Sequence, residues 1–127
     1  DGKVRDGMIK AVRGAVKVDA DTPEAIRSGV VSLLNTLLEE NRIRERNIVS
    51  LVFTQTGDLS SENPAAALRT RGFESVPLFC CREPDIEGMM HRVIRVLVTL
   101  RVSRFRSLKP VYVNGAESLR PDLAGSS

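Results

Sequence analysis

A single cation interrupts an apolar run near the end of the chain: Val93-Ile94-Arg95-Val96-Leu97-Val98. A guanidinium is expensive to bury among aliphatic side chains unless something anionic meets it. Two arrangements satisfy that condition. In one, Arg95 rides the wet side of an amphipathic helix, sharing a stripe with His91 and Thr99, each four residues away. In the other, it faces a pocket together with an acid. In that arrangement the acid is Glu83, in the charged corner Arg82-Glu83-Pro84-Asp85 that follows a strand-like stretch from Val76 to Cys81. A pocket shared by Glu83 and Arg95 would suit an anionic, hydroxylated ligand. Periodicity does not choose between the two.

The segment from Glu87 to Arg101 carries the same ambiguity. Its β-branched residues suit a strand, while its length and the set Met90, Val93, Ile94 and Leu97 favour a helix. Elsewhere the signals are sharper. Met8 to Val16 reads as a strand ending near Gly14, with Arg13 at its carboxyl end. Asp21-Thr22-Pro23-Glu24 starts a helix: Asp21 or Thr22 can cap it, Pro23 suits the first turn, and Glu24 favours the positive end. Ile26, Val30, Leu33, Leu34, Leu37 and Leu38 then form one apolar face down to about Asn41. Ile48 to Phe53 is a short buried-type strand, and Thr54 to Glu62, with Gly57-Asp58, a loop. Asn63-Pro64 caps a short helix over 65–71, ended by Gly72, and Pro110 to Val113 is a last strand. Strands alternating with helices imply an α/β or α+β sheet with helices over one or both faces.

At 127 residues the chain suits one domain with a real core. No segment approaches the ~18 uninterrupted apolar residues a membrane span needs. The opening residues DGKVRDG read as a polar tail, not a signal peptide. The two cysteines, Cys80 and Cys81, are adjacent and match no metal or redox spacing, so buried thiols in a reducing, cytoplasmic setting are the simplest account. Of the 19 basic residues 15 are Arg, the better residue for gripping carboxylate or phosphate. Aromatics are only 4% of the chain and Trp is absent, which supplies a base-stacking nucleic-acid platform poorly. A small anionic metabolite fits the composition better.

Over nearly the whole chain, from about Met8 to Leu123, the sequence resembles the small monofunctional chorismate mutases of bacteria, a trimeric class of mixed α/β fold. The matches are Val12-Arg13-Gly14-Ala15, Glu39-Glu40-Asn41, Gly57-Asp58-Leu59, Pro64-Ala65, Arg69, Val76-Pro77, Cys80, Glu83, Ile94-Arg95, Val111-Tyr112 and Leu119-Arg120-Pro121-Asp122-Leu123. The resemblance implies an α+β fold, a mixed sheet with helices packed on it, assembled as a homotrimer forming a pseudo-barrel. It implies conversion of chorismate to prephenate on the route to phenylalanine and tyrosine, a pericyclic reaction with no protein nucleophile, metal or cofactor.

By the same resemblance, Arg95 stands beside the breaking ether oxygen and Glu83 accepts the ring hydroxyl, with Cys80 near that end of the ring. Arg13, Arg69, Tyr112 and Arg120 correspond to partners of the substrate's carboxylates, and Leu119 helps to close the site. Residues 1–7 are then a tail, 8–118 the single catalytic domain, and 119–127 a mobile C-terminal segment over the site, with sites completed at subunit boundaries. The chain departs from the family at the pocket rim, where Asn63 and Ala66 replace an aromatic and a Lys. The rival functions are a small-anion-binding or regulatory trimer on the same scaffold, and RNA binding through the Arg-rich stretch 92–106. His91 is a surface residue, since the reaction transfers no proton.

Overall fold

The computed structural model describes residues 7–119. One mixed sheet carries five strands in the order β3-β2-β4-β1-β5. They are β1 (Gly7–Lys17), β2 (Ile48–Gln55), β3 (Leu78–Arg82), β4 (Val93–Ser103) and β5 (Val111–Val113). Antiparallel pairing joins β4 to both β1 and β2, while β5 runs parallel to β1 and β3 parallel to β2. Two helices complete the fold, α1 (Pro23–Glu40) and α2 (Pro64–Arg69), with 3-10 turns at Glu45–Asn47 and Ala116–Leu119. The sheet-and-helix architecture is the α+β arrangement expected.

The helix starts follow their local chemistry. Thr22 Oγ1 accepts the Ala25 N–H at 3.1 Å, and Asn63 Oδ1 accepts the N–H groups of Ala65 and Ala66 at 2.8 and 3.3 Å, each just ahead of a first-turn proline. Asn63, one of the two departures from the family pattern, thus caps α2. Helix α1 buries Ile26, Val30, Leu33, Leu34 and Leu37 against the sheet, a stabilisation of roughly 1.5–3 kcal/mol for each side chain removed from water.

Helix α1 reaches the sheet over Gly14. A Cβ built there would lie 3.0 Å from both Leu33 Cδ1 and Leu37 Cδ1. Gly14 is therefore an interior strand position kept bare for close approach, and β1 continues past it to Lys17. Arg13 accordingly stands inside the strand and not at its end.

The helix favoured over 87–101 is overturned. Residues 93–103 form β4, the middle strand of the sheet, with Ile94, Val96, Val98, Leu100 and Val102 all buried on the helix side. A strand paired on both edges satisfies its backbone from its neighbours and rewards a β-branched residue at every second position. The apolar set chosen for a helix mixed residues of both sheet faces. The stripe of His91, Arg95 and Thr99 falls with it: Arg95 and Thr99 do share a face, because four residues is also an even spacing in a strand, but His91 precedes β4.

Both helices contribute to the core on one face of the sheet, and the other face is uncovered within the chain except where the turn Ala116–Leu119 packs over Ala15 and Val93. That open face carries Phe79, 72% exposed, and Leu97, 42% exposed, beside Arg13, Arg95 and Thr99.

Candidate active site

One rung of the open face crosses all five strands: Cys81, Thr54, Arg95, Ala15 and Tyr112 are successive register partners. The next rung carries Phe79, Val52, Leu97 and Arg13. Three of the cationic and hydroxylic residues singled out in the sequence, Arg13, Arg95 and Tyr112, therefore share one surface because strand alternation aims them the same way.

Glu83 joins them from the end of β3. Its N–H donates to Gln55 O at 2.9 Å, which prolongs the β2–β3 pairing by one residue and turns the side chain toward β4. Glu83 is only 8% exposed, and its Oε1 lies 2.8 Å from Arg95 Nε. The Arg95 N–H does not point along that contact, so the contact is an ion pair without a hydrogen bond. Thr54 Oγ1 donates to the same Oε1 at 2.6 Å. Glu83 Oε2 is buried with no hydrogen-bond partner among the described residues, and so is Arg95 Nε. An acceptor and a donor without protein partners in one spot are groups that a polar ligand can meet. The geometry thus pairs Arg95 with the acid Glu83: the Arg95 side chain is 39% exposed but anchored on a buried carboxylate.

The loops on either side are stapled together. Asp58 accepts the Arg92 N–H at 3.0 Å and the Thr56 hydroxyl, while Thr56 Oγ1 accepts the Val93 N–H at 3.1 Å. Burial pushes the Asp58 carboxyl up, but the hydrogen bonds from Thr56 and Arg92 outweigh it and hold the group below its ordinary range. Arg92 takes a left-handed φ of 55° at the entrance to β4, held there by Asp58 and by its own Nε–H bond to Val18 O at 3.1 Å. These contacts set where β4 begins, and so which face Arg95 occupies. His91, 81% exposed, lies 3.3 Å from Asp58 on this loop and away from the Glu83–Arg95 pair.

A hollow of about 310 Å³ runs along the same loops, lined by Gly57, Asp58, Pro84, Ile86, Met90 and His91 among others. Its lining stops one residue short of Glu83 and does not include Arg95.

The remaining residues fall around the pair at differing distances. Tyr112 is two strands from Arg95, roughly 10 Å at ordinary strand spacing. It packs with Leu119 and Met90 against the small cluster of Ala15, Val93 and Ala116. Cys80 is the register partner of Phe53 and packs against the helix-side core, on the opposite side of the sheet from Arg95; burial, then the neighbouring Cys81, pushes its thiol up. Arg69 is exposed at the end of α2, which packs on α1 and β3. Arg120 lies outside the described residues. Among the described residues no cluster of three His, Cys, Asp or Glu side chains could hold a metal.

Thr54 escaped the sequence analysis, which assigned it to a loop. The available signal was alternation: extending β2 by two residues places Thr54 on the face of Val52, opposite Phe53.

The family model described as chorismate mutase type I matches residues 9–123. The chain is 41% identical over 118 residues to the chorismate mutase AroH of Thermus thermophilus, covering 91% of this chain and 97% of that protein. It is 34% identical over 119 residues to AroH of Bacillus subtilis (strain 168), covering 92% and 94%. A solved chorismate mutase structure from Clostridium thermocellum superposes with a TM-score of 0.80 at 35% identity, over 86% of this chain and 98% of that one. The family match and these two curated relatives make the chain an enzyme of the isomerase class. The chain belongs to the type I chorismate mutase family.

Proposed function

We propose that this chain rearranges chorismate to prephenate in a site built around Glu83 and Arg95, completed by a neighbouring copy of the chain. The observation that carries the site is the pairing of Arg95 with the buried Glu83, with one carboxylate oxygen and one guanidinium N–H left without hydrogen-bond partners among the described residues.

The reaction is a concerted shift of bonds within one molecule, so the protein supplies conformation and charge. Holding the substrate folded with its ends in contact removes much of the entropy of reaching the transition state. As the ether bond breaks, its oxygen gains negative charge, and the Arg95 guanidinium, fixed by a buried acid, offsets that charge without reorganising. The open Oε2 of Glu83 accepts the ring hydroxyl and orients the ring. Arg13, Arg69, Tyr112 and Arg120 take the roles of carboxylate partners and Leu119 that of a closing residue, as the family resemblance assigns them.

A homotrimer accounts for what a single chain leaves open. The uncovered sheet face carries exposed Phe79 and Leu97 beside Arg95, and Arg69 has no described contact with the pair. Packing these faces together, with the helices outward, buries apolar surface and brings cations of one chain to the acid of another. Leu119 leaves the described chain next to Tyr112, which favours residues 119–127 as the segment that covers the substrate. No helix among the described residues is long and apolar enough to cross a membrane, and the two unpaired cysteines fit a reducing cytoplasm.

The test is the loss of chorismate absorbance when purified protein is added, with prephenate as the product. A folded protein that binds chorismate without converting it would replace this function with the rival small-anion-binding role.

A further inference from the structure

We infer that Thr54 is a positioning residue for the reaction: its hydroxyl takes one oxygen of Glu83 and thereby keeps the other oxygen, and the Arg95 guanidinium, open to the substrate. The inference rests on the role proposed above for Glu83 and Arg95.

An ionised carboxylate and a guanidinium left alone on a protein surface close into a two-point fork, each oxygen taking one N–H. Such a closed pair would occupy both oxygens of Glu83 and two donors of Arg95. The observed pair is different. Both contacts fall on Oε1: Thr54 Oγ1 at 2.6 Å and Arg95 Nε at 2.8 Å. Oε2 is buried and has no partner among the described residues. The Thr54–Glu83 distance is that of a hydroxyl donating to a charged oxygen, among the stronger hydrogen bonds available.

Thr54 is placed for this task by three features. It is the register partner of Arg95 on β4 and of Cys81 on β3, so it stands between the strand that bears the cation and the strand that leads to the acid. Its β-branched side chain, in a paired strand, has restricted χ1 freedom, which fixes the direction of the hydroxyl. It is uncharged, so it holds the carboxylate without competing with the substrate for the positive charge of Arg95. A hydroxyl has one proton to give, and giving it to Oε1 decides which oxygen of Glu83 remains an acceptor.

The experiment compares Thr54→Val, which keeps the branched shape and removes the hydroxyl, with Thr54→Ser, which keeps the hydroxyl and removes the methyl. Chorismate turnover is followed across substrate concentrations, and thermal denaturation is recorded for each variant. A hydrogen bond to a charged group contributes about 1.5–3 kcal/mol, and every ~1.4 kcal/mol is tenfold in rate. Thr54→Val is therefore expected to lower kcat roughly tenfold or more with KM changed less than about threefold, while its Tm stays at or above that of the unaltered protein. Thr54→Ser should restore kcat to within about threefold. Thr54→Ala, scored in the same way, replaces Thr54→Val if the valine disturbs packing. A kcat within twofold of the unaltered protein in Thr54→Val, or a Thr54→Ser as impaired as Thr54→Val, overturns the inference. Absence of chorismate turnover by the unaltered protein is a separate result: it removes the functional proposal, and this one with it.

Discussion

Glu83 and Arg95 meet over a strand that belongs to neither. Arg95 is on β4 and Glu83 follows β3, with β2 lying between them in the sheet, and their side chains close to 2.8 Å above Thr54. A pair separated by two strand spacings needs long side chains leaning toward each other, and that reach explains why both are long residues. If Arg95 stabilises charge that appears only in the transition state, its loss falls mainly on kcat. Arg95→Ala should lower kcat on the order of 10²–10³, the usual effect of removing one preorganised donor. Arg95→Lys retains charge but not the planar fork, and should recover only part of it. Replacing exposed His91 should leave kcat unchanged. Steady-state kinetics on variants shown to be folded by circular dichroism decide this, and a near-normal kcat in Arg95→Ala would refute the mechanism.

The uncovered sheet face predicts an assembly. Light scattering on a size-exclusion column should give three copies of the chain. Phe79→Asp places a charge where an apolar contact is needed, and should shift the protein toward monomer with its secondary structure intact and its turnover lost. A fully active monomer would show that one chain holds the whole site.

Asp58 predicts a pH dependence of stability. Its carboxyl is held below its ordinary value, so the stabilisation is complete above the unfolded value near 4 and is lost as pH falls through the lower folded one. Asp58→Asn removes the charge that the Arg92 N–H and Thr56 hydroxyl favour. Because the side chain is 35% exposed, the cost at neutral pH should be modest, about 1 kcal/mol. Denaturant titrations from pH 7 down to pH 3 should show the difference between the two proteins shrinking in acid. A constant difference would mean that Asp58 acts by shape alone.

The C-terminal segment is expected to act on the substrate and not on the fold. Removing residues 120–127 should reduce kcat/KM several-fold and leave Tm nearly unchanged. Equal kinetics before and after truncation would take Arg120 out of the site.

Gly14 gives a packing test. Gly14→Val places branched carbon atoms where even a Cβ meets Leu33 and Leu37 at 3.0 Å, and should cost about 1–3 kcal/mol by lifting α1 from the sheet. Chemical denaturation measures it directly, and an unchanged midpoint would show that α1 can move at no cost.

What the sequence by itself determined is local, together with what a long run of matches can transfer. Thr22-Pro23 and Asn63-Pro64 start the helices as expected, because capping and the fixed φ of proline act within a few residues. The apolar face of α1 and the cores of β1, β2 and β3 were legible from spacing, and the resemblance singled out Glu83 and Arg95. Tertiary structure decided what depends on neighbours. Residues 93–103 carry apolar residues at both helical and strand spacing, and only pairing with β1 and β2 on both edges makes them a strand. The same pairing sets the rung of Thr54, Arg95 and Tyr112, puts Cys80 on the core side, and reveals Thr54 as the hydroxyl against Glu83. Register is a long-range property: shifting it by one residue would turn Arg95 into the core, and although alternation along 93–103 marks which face is apolar, only pairing with β1 and β2 says which residues stand opposite Arg95.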